Sequence, residues 1–157
     1  MIKKELTKNQ AKEKALRLLA FRSHSEKELA DKLILAGAKR EDLPYVLDFV
    51  KEYGFVNDEE YAEHLAKDLQ NLKKYGQKRI YQELKKRGIA AEYIESALSE
   101  LCGEETDMLL PLVERKLGGN FEQKSIDRAI RYFAYRGYEF DDIKACIEKI
   151  KEKGSEE

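Results

Sequence analysis

The stretch RIYQELKKRGIAAEYIESALSEL, residues 79–101, decides the fold because the chain contains two further versions of it. ELADKLILAGAKREDLPYVLDFV at residues 28–50 and RAIRYFAYRGYEFDDIKACIEKI at residues 128–150 align with it without a gap. Each copy has a glycine at the same place: Gly37, Gly88 and Gly137. A motif that recurs after 51 and 49 residues indicates tandem modules that pack on their neighbours.

Each copy is typical of two helices joined at its glycine. The first helix ends where the glycine adopts a left-handed conformation, which costs little without a Cβ atom. The second helix has apolar residues at i, i+4 and i+7, such as Leu43, Leu47 and Val50, which predicts one buried stripe. Asp42 is placed to cap this helix, and Pro44 falls in its first turn.

A further helix is predicted ahead of each pair. In the first copy this helix covers about residues 12–21, and in the second copy it is capped by Asp58. In the third copy it covers residues 108–117, where Pro111 predicts a kink or a late start. Ser25, followed three residues later by Glu28, predicts a capping box for the helix between the first of them and Gly37.

The sequence therefore predicts an all-α fold of about nine helices. They are expected to form three tandem three-helix repeat modules in an elongated, curved molecule. The expected divisions are an arm at 1–10, modules at 11–57, 58–103 and 104–153, and a tail at 154–157.

Composition excludes several classes of protein. Charged residues make up 39% of the 157 residues, against roughly 25% in an average domain, which suits amphipathic helices with solvated faces. Residues 1–10 are polar and show no signal peptide, and no apolar run approaches the roughly 20 residues of a membrane span. Cys102 and Cys146 lack metal-ligand spacing, and we expect buried thiols in a reducing cytoplasm.

Positive charge is concentrated in one window of a nearly neutral chain. Residues 73–87 contain seven basic residues and one acidic residue, whereas the whole chain has 30 basic and 31 acidic residues. Arg79 and Glu83 are i, i+4 partners, but Lys85, Lys86 and Arg87 exceed what Glu83 can pair. The window is either an ordinary solvated helix face or a contact surface for a partner.

Three quoted stretches resemble the bacterial RecX regulatory family. ALRLLAFRSHSEKELADKL at 15–33, YGFVNDEEYAEHLA at 53–66 and YGQKRIYQELKKRGI at 75–89 occur in the order and at the spacing of that family. The resemblance covers roughly residues 11–150. The third module departs most, since Pro111 and the pair Gly118–Gly119 are its own.

The resemblance implies a regulator that binds the RecA recombinase, chiefly as a filament on DNA, and mostly lowers its ATPase, strand-exchange and coprotease activities in DNA repair and the SOS response. It implies a non-enzymatic, cytoplasmic protein, expected to be a monomer without cofactor, metal or membrane contact, that lies in the filament groove. Some such proteins also bind DNA directly. The candidate residues for contact with RecA or DNA are Lys73, Lys74, Lys78, Arg79, Lys85, Lys86, Arg87, Arg128, Arg131 and Arg136.

Aromatic residues and histidines leave alternatives open. Tyr53, Phe55 and Tyr61 are interpreted as packing between modules, with an exposed recognition patch as the alternative. Tyr132, Tyr135 and Tyr138 are either structural or able to stack on bases or on a protein surface. His24 and His64 lack a partner cluster and are expected at the surface, and Asp141 and Asp142 are expected to begin a helix.

Two other functions are compatible with the sequence. A direct nucleic-acid-binding module is one alternative, although its near-zero net charge is unusual for a dedicated DNA-binding protein. A helical-repeat adaptor for an unrelated partner is the other. No catalytic constellation and no Gly-rich phosphate loop is indicated.

Overall fold

The computed structural model describes residues 4–101 and 103–155, together with their side chains except those of residues 104 and 106. Within these ranges the chain forms nine α-helices and no strand, with one short 3-10 turn at Arg40–Asp42. The helices are α1 Lys8–Phe21, α2 Glu26–Ala36, α3 Leu43–Glu52, α4 Asp58–Asn71, α5 Gln77–Lys86, α6 Ala91–Leu101, α7 Glu104–Leu117, α8 Gln123–Tyr135 and α9 Phe140–Ser155. The predicted all-α fold with three-helix repeats in tandem is confirmed.

The second helix of each repeat ends in the same hydrogen-bond pattern. Gly37, Gly88 and Gly137 have positive φ angles of 111°, 78° and 102°. The residue after each glycine donates its N–H to a carbonyl five positions earlier, and the glycine N–H donates to a carbonyl three positions earlier. This pattern is the Schellman motif, in which the residue after the glycine packs on the helix. These residues are Ala38, Ile89 and Tyr138, and all three are buried.

Helix starts follow local capping rules with three corrections. The capping box of Ser25 and Glu28 is present as predicted, and Thr7 forms a second one with Gln10, so α1 begins at Lys8 rather than at residue 12. Asp42 makes no side-chain capping bond, because it belongs to the 3-10 turn before α3. Asn57 accepts the Glu60 N–H at 3.1 Å and thereby replaces Asp58 as the cap of α4.

Helix α7 also differs from the prediction. It begins at Glu104 instead of near residue 108, and Pro111 lies inside it. A proline within a helix removes one main-chain hydrogen bond, and the chain accepts this loss here. Asp141 and Asp142 lie in the first turn of α9 as expected, where the helix dipole favours carboxylates.

The described chain divides into two compact units. The first comprises the described residues up to His64 together with Leu84–Ile94, and the second comprises Leu65–Glu83 together with the described residues from Glu95 onward. The helices α1 to α3 enclose one apolar core, which consists of Ala11, Ala15, Leu29, Leu33, Ala38, Val46, Val50 and Val56. On α3 the fully buried stripe is Val46 and Val50, whereas Leu43 and Leu47 are half-buried at its edge.

The helices α7 to α9 enclose an apolar core in the second unit. Its members include Leu109, Val113, Phe133, Ile143 and Ile147. Truncating such a buried side chain to alanine costs about 2–5 kcal/mol, so these residues hold the helices of the repeat together. Cys146 is buried here as predicted, and Cys102 lies outside the described residues. Among the described residues, no helix combines the length and the apolar character needed to cross a membrane.

Candidate partner-binding surface

The turn before α5 and the turn after α8 meet through their backbones in the second unit. The Gly76 N–H donates to the Arg136 carbonyl at 2.8 Å, and the Lys78 N–H donates to the Gly137 carbonyl at 3.1 Å. A Cβ atom on Gly76 would lie 2.5 Å from the Gly137 carbonyl, so glycine is needed for this approach. The contact brings basic residues of two distant parts of the sequence together.

Tyrosines and arginines interleave beside this contact. The ring centroid of Tyr75 lies 4.8 Å from the Arg79 guanidinium and 5.1 Å from that of Arg136. Arg79 also lies 5.2 Å from the ring of Tyr135, and Arg136 lies 5.4 Å from that of Tyr132. Such cation–π contacts orient the guanidinium groups, and each exposed contact contributes about 0.5–1 kcal/mol of stabilisation.

Hydrogen bonds further fix the two arginines. Arg79 Nε donates to Glu83 Oε1 at 3.2 Å, which confirms the predicted i, i+4 pair. That hydrogen bond is the main reason why the pKa of Arg79 is raised above its ordinary value. Arg136 Nη2 donates to the Lys73 carbonyl oxygen, and this bond ties the end of α8 to the turn after α4.

Tyr138 is a structural residue and does not contribute a stacking face. Its side chain is buried, and its hydroxyl donates to the Lys74 carbonyl at 2.9 Å. Burial raises the pKa of Tyr138 to about 12, so the hydroxyl stays protonated as a donor. Of the three tyrosines considered from sequence, Tyr135 and Tyr132 are exposed, at 76% and 41%. Alignment with buried Ala38 and Ile89 is the signal that could have assigned Tyr138 to the core.

A concavity of about 330 Å³ adjoins this cluster, and we call it the basic–aromatic pocket. Its lining consists of Lys74, Leu112, Arg115, Lys116, Tyr132, Phe133 and Arg136. Lys116 Nζ lies 4.1 Å from the centroid of the Tyr132 ring. Sequence reasoning missed Arg115 and Lys116, although they are adjacent cations in the last turn of α7, as Lys85 and Lys86 are in α5.

The structure brings half of the predicted basic residues together. The grouped residues are Lys73, Lys74, Lys78, Arg79 and Arg136, all in the second unit. Lys78 is paired with Glu139 at 3.1 Å. Arg128 and Arg131 are exposed on α8 outside the basic–aromatic pocket. Lys85 and Lys86 are exposed in the last turn of α5.

Arg87 belongs to a polar cluster of the first unit. Its carbonyl accepts the Ser25 hydroxyl at 2.5 Å, and its charge acts on Glu28. Burial would raise the pKa of Glu28, but hydrogen bonds from the Ser25 N–H and the Tyr61 hydroxyl, with the Arg22 and Arg87 charges, outweigh it and lower the pKa. The side chain of Arg87 therefore supports the fold as well as facing solvent.

Two expectations for the first unit were wrong. His24 is only 2% exposed, with Nδ1 2.9 Å from the Arg22 carbonyl oxygen and Nε2 2.8 Å from Lys32 Nζ. His64 is exposed as predicted. Tyr53 and Phe55 are 63% and 51% exposed, so the interpretation of these two rings as packing between modules fails. Tyr61 is half-buried.

Comparison with known proteins places the chain in a family. The model of the first three-helix domain of RecX matches residues 11–49, and that of the second matches residues 57–98. Regulatory protein RecX of Caldanaerobacter subterraneus subsp. tengcongensis is 36% identical over 141 residues, which cover 88% of this chain and 69% of the relative. Regulatory protein RecX of Vibrio campbellii is 32% identical over 139 residues, covering 87% of this chain and 89% of the relative.

Solved structures show the same fold. The crystal structure of RecX from Lactobacillus salivarius superposes with a TM-score of 0.83 at 20% identity, covering 92% of this chain and 96% of that one. A crystal structure of regulatory protein RecX superposes with a TM-score of 0.81 at 17% identity, covering 90% and 73%. With two matching domain models and relatives above 30% identity along most of their length, the chain belongs to the RecX family of regulatory proteins.

Proposed function

We propose that this chain binds the RecA recombinase, chiefly as a filament on DNA, and lowers its ATPase, strand-exchange and coprotease activities in DNA repair and the SOS response. In this proposal the chain acts by binding, without catalysis of its own. Membership of a family of regulatory proteins supports the general role. The observation that supports the contact is the grouping of Lys73, Lys74, Arg79 and Arg136 around a backbone junction.

A surface of this kind suits a charged protein partner. Each exposed ion pair contributes about 0–1 kcal/mol, so several cations on one rigid support are needed for useful affinity. The junction supplies that support, because Tyr75, Tyr132 and Tyr135 hold the guanidinium groups in place. Complementary charge also speeds association and makes it sensitive to salt. We propose residues 11–57, 58–103 and 104–153 as the modules that present such contacts.

The basic end of α5 lies outside the grouped cations and is tested separately as a further contact. Lys85→Ala with Lys86→Ala leaves Arg87 and its action on Glu28 intact. We expect this double variant to need about five times more protein for half-inhibition of the DNA-dependent ATPase of RecA, equivalent to about 1 kcal/mol. The matched control is Lys124→Ala with Lys153→Ala, which removes the same charge from exposed positions of α8 and α9.

Binding itself is measured by sedimentation of the chain with RecA filaments, formed with and without DNA. Circular dichroism establishes that both variants keep the helical content of the parent chain. Equal inhibition by the α5 variant and the control would remove this helix end from the contact. A parent chain that neither cosediments nor inhibits would refute the proposed function as a whole.

Direct binding of DNA is a second candidate function. It is favoured by Tyr135, which is 76% exposed and lies beside Arg79, a combination that can stack a base and hold a phosphate. Fluorescence anisotropy with single-stranded and duplex oligonucleotides at two salt concentrations measures it. Tight binding at physiological salt that Tyr135→Ala weakens would make DNA the primary ligand.

A further inference from the structure

We propose that the basic–aromatic pocket receives an acidic peptide segment whose carboxylates flank one apolar side chain. This inference rests on the proposed function, because it describes which chemistry a protein partner presents to this chain. The pocket lies entirely within the second unit, between residues of α7, residues of α8 and the turn after α4.

Positive charge dominates the described lining of the pocket. Four cations line it, and among the described residues its lining contains no carboxylate. Within the described part of the chain, Lys74, Arg115 and Lys116 form no ion pair. Cations grouped around a concavity raise the local concentration of anions, and the pocket therefore selects a negatively charged ligand.

The apolar part of the lining distinguishes an acidic peptide from a nucleic acid as the ligand. Leu112 and Phe133 line the concavity together with its cations, and half-buried Leu112 offers most of the apolar surface because Phe133 is almost fully buried. A sugar–phosphate backbone has no apolar side chain to bury there, whereas a leucine or phenylalanine between carboxylates does. Base stacking is disfavoured as well, because Lys116 and Arg136 already contact the ring of Tyr132 at 4.1 and 5.4 Å.

The backbone of Lys74, which lines the pocket, adopts a strained conformation. Its φ angle is 58°, in the left-handed region that glycine adopts with less strain. The Tyr138 hydroxyl bonds to its carbonyl and keeps it in this conformation. The backbone bond to Tyr138 thus fixes the position from which the Lys74 side chain lines the pocket.

A fluorescein-labelled peptide with the sequence EDLED tests the proposal by anisotropy against the full chain. We expect saturable binding at low salt that weakens about fivefold in Arg115→Ala with Lys116→Ala, and stays unchanged in Lys124→Ala with Lys153→Ala. The peptide EDSED should bind about fivefold more weakly, because serine leaves the apolar part of the lining uncovered. An oligothymidylate of about 15 nucleotides, long enough for one binding site, is titrated in parallel.

Each outcome decides the question. No binding of EDLED up to about 1 mM, or binding that the pocket variant leaves unchanged, overturns the proposal. Loss of oligothymidylate binding in the pocket variant, with EDLED unbound, assigns the pocket to nucleic acid. Inhibition of RecA is measured on the same variants. If the pocket variant still inhibits RecA fully, the pocket proposal is refuted and the proposed function stands. If the parent chain binds the peptide but does not inhibit RecA, the proposed function is refuted and the pocket proposal stands.

Discussion

At the scale of single residues, His24 is a buried side chain whose protonation the fold opposes. Burial lowers the pKa of His24 below its ordinary value of 6.5, and the Lys32 and Arg22 charges lower it further, against the Arg22 carbonyl and Glu28. Lys32 Nζ is a donor only, so His24 Nε2 accepts and Nδ1 carries the proton. His24 is therefore neutral in the native state near neutral pH.

This protonation state predicts a pH-dependent stability. The unfolded chain takes up a proton at the ordinary histidine pKa of 6.5, whereas the native chain does so only at lower pH. Unfolding is thus favoured as pH falls. Neutral His24 makes its full contribution to the free energy of unfolding above about pH 6.5, and this contribution is lost as the pH falls from there toward the lower pKa of the native state. Urea unfolding between pH 8 and pH 5.5 measures the slope, which should flatten in His24→Gln. Parallel slopes in both proteins would contradict the prediction.

Gln70 predicts a stabilising substitution. It is 1% exposed, and neither its side-chain nitrogen nor its oxygen has a hydrogen-bond partner among the described residues. A buried polar group without a partner costs about 1–3 kcal/mol. We expect Gln70→Met, which keeps the length and removes the amide, to raise the free energy of unfolding by about 1–2 kcal/mol in denaturant titrations. A less stable Gln70→Met protein would show that the amide is satisfied in solution.

At the scale of elements, the chain repeats one device to end three helices. The Schellman motifs at Gly37, Gly88 and Gly137 each satisfy carbonyls of the last turn and bury the following side chain. These glycines also allow close approach: a Cβ on Gly37 would lie 2.4 Å from the Lys4 carbonyl oxygen, and one on Gly88 would meet the Lys27 side chain. The glycine thus determines both how the helix ends and what can pack on it.

Substitutions at Gly137 and Gly54 distinguish the two roles of such a glycine, which are to end the helix in a left-handed conformation and to allow close packing. Gly137→Ala combines a φ angle of 102° with a Cβ 2.4 Å from the backbone nitrogen of Arg79. We expect a loss of about 3 kcal/mol or more in the free energy of unfolding. Gly54→Ala is the matched control, since Gly54 has a φ angle of 74° and nothing within 4 Å of its Cβ position. It should lose only about 1 kcal/mol from backbone strain. Equal losses would show that the close approach to α5 costs nothing.

Helix limits were predictable from sequence because their causes are local. The capping box of Ser25 and Glu28 and the glycine ends need only neighbours within five residues. The predicted cap of α4 was wrong because the neighbouring residue Asn57, and not Asp58, caps the first turn of that helix. Asp58 instead accepts the Glu26 N–H at 2.9 Å, a contact between residues 32 positions apart. Such a partner cannot be inferred from helical periodicity.

At the scale of the whole molecule, charge is predicted to serve binding more than stability. The described ion pairs are mostly between exposed side chains, which contribute about 0–1 kcal/mol each and are screened by salt. Raising NaCl from low to physiological concentration should therefore change the free energy of unfolding by less than about 1 kcal/mol. The same change should weaken binding to RecA filaments severalfold.

Denaturant unfolding and filament cosedimentation at matched salt concentrations check this prediction. Arg115→Ala with Lys116→Ala should show a shallower salt dependence of binding than the parent chain, since fewer charges are screened. Binding that salt leaves unchanged would indicate a contact made by apolar surface, for which Phe21, Leu72 and Tyr53 are among the exposed candidates.

The sequence by itself determined the helices, their glycine-terminated ends, the threefold repetition and the family. These features depend on apolar spacing, glycines and caps, which act over a few residues and recur in each copy. The tertiary structure alone decided which polar and aromatic groups are buried and which cations meet. Tyr138 and His24 are buried, and Arg115 and Lys116 join Arg136, because packing brings together residues far apart in the chain. Arg136 reaches the Lys73 carbonyl across 63 positions, a distance at which local patterns contain no information about contacts.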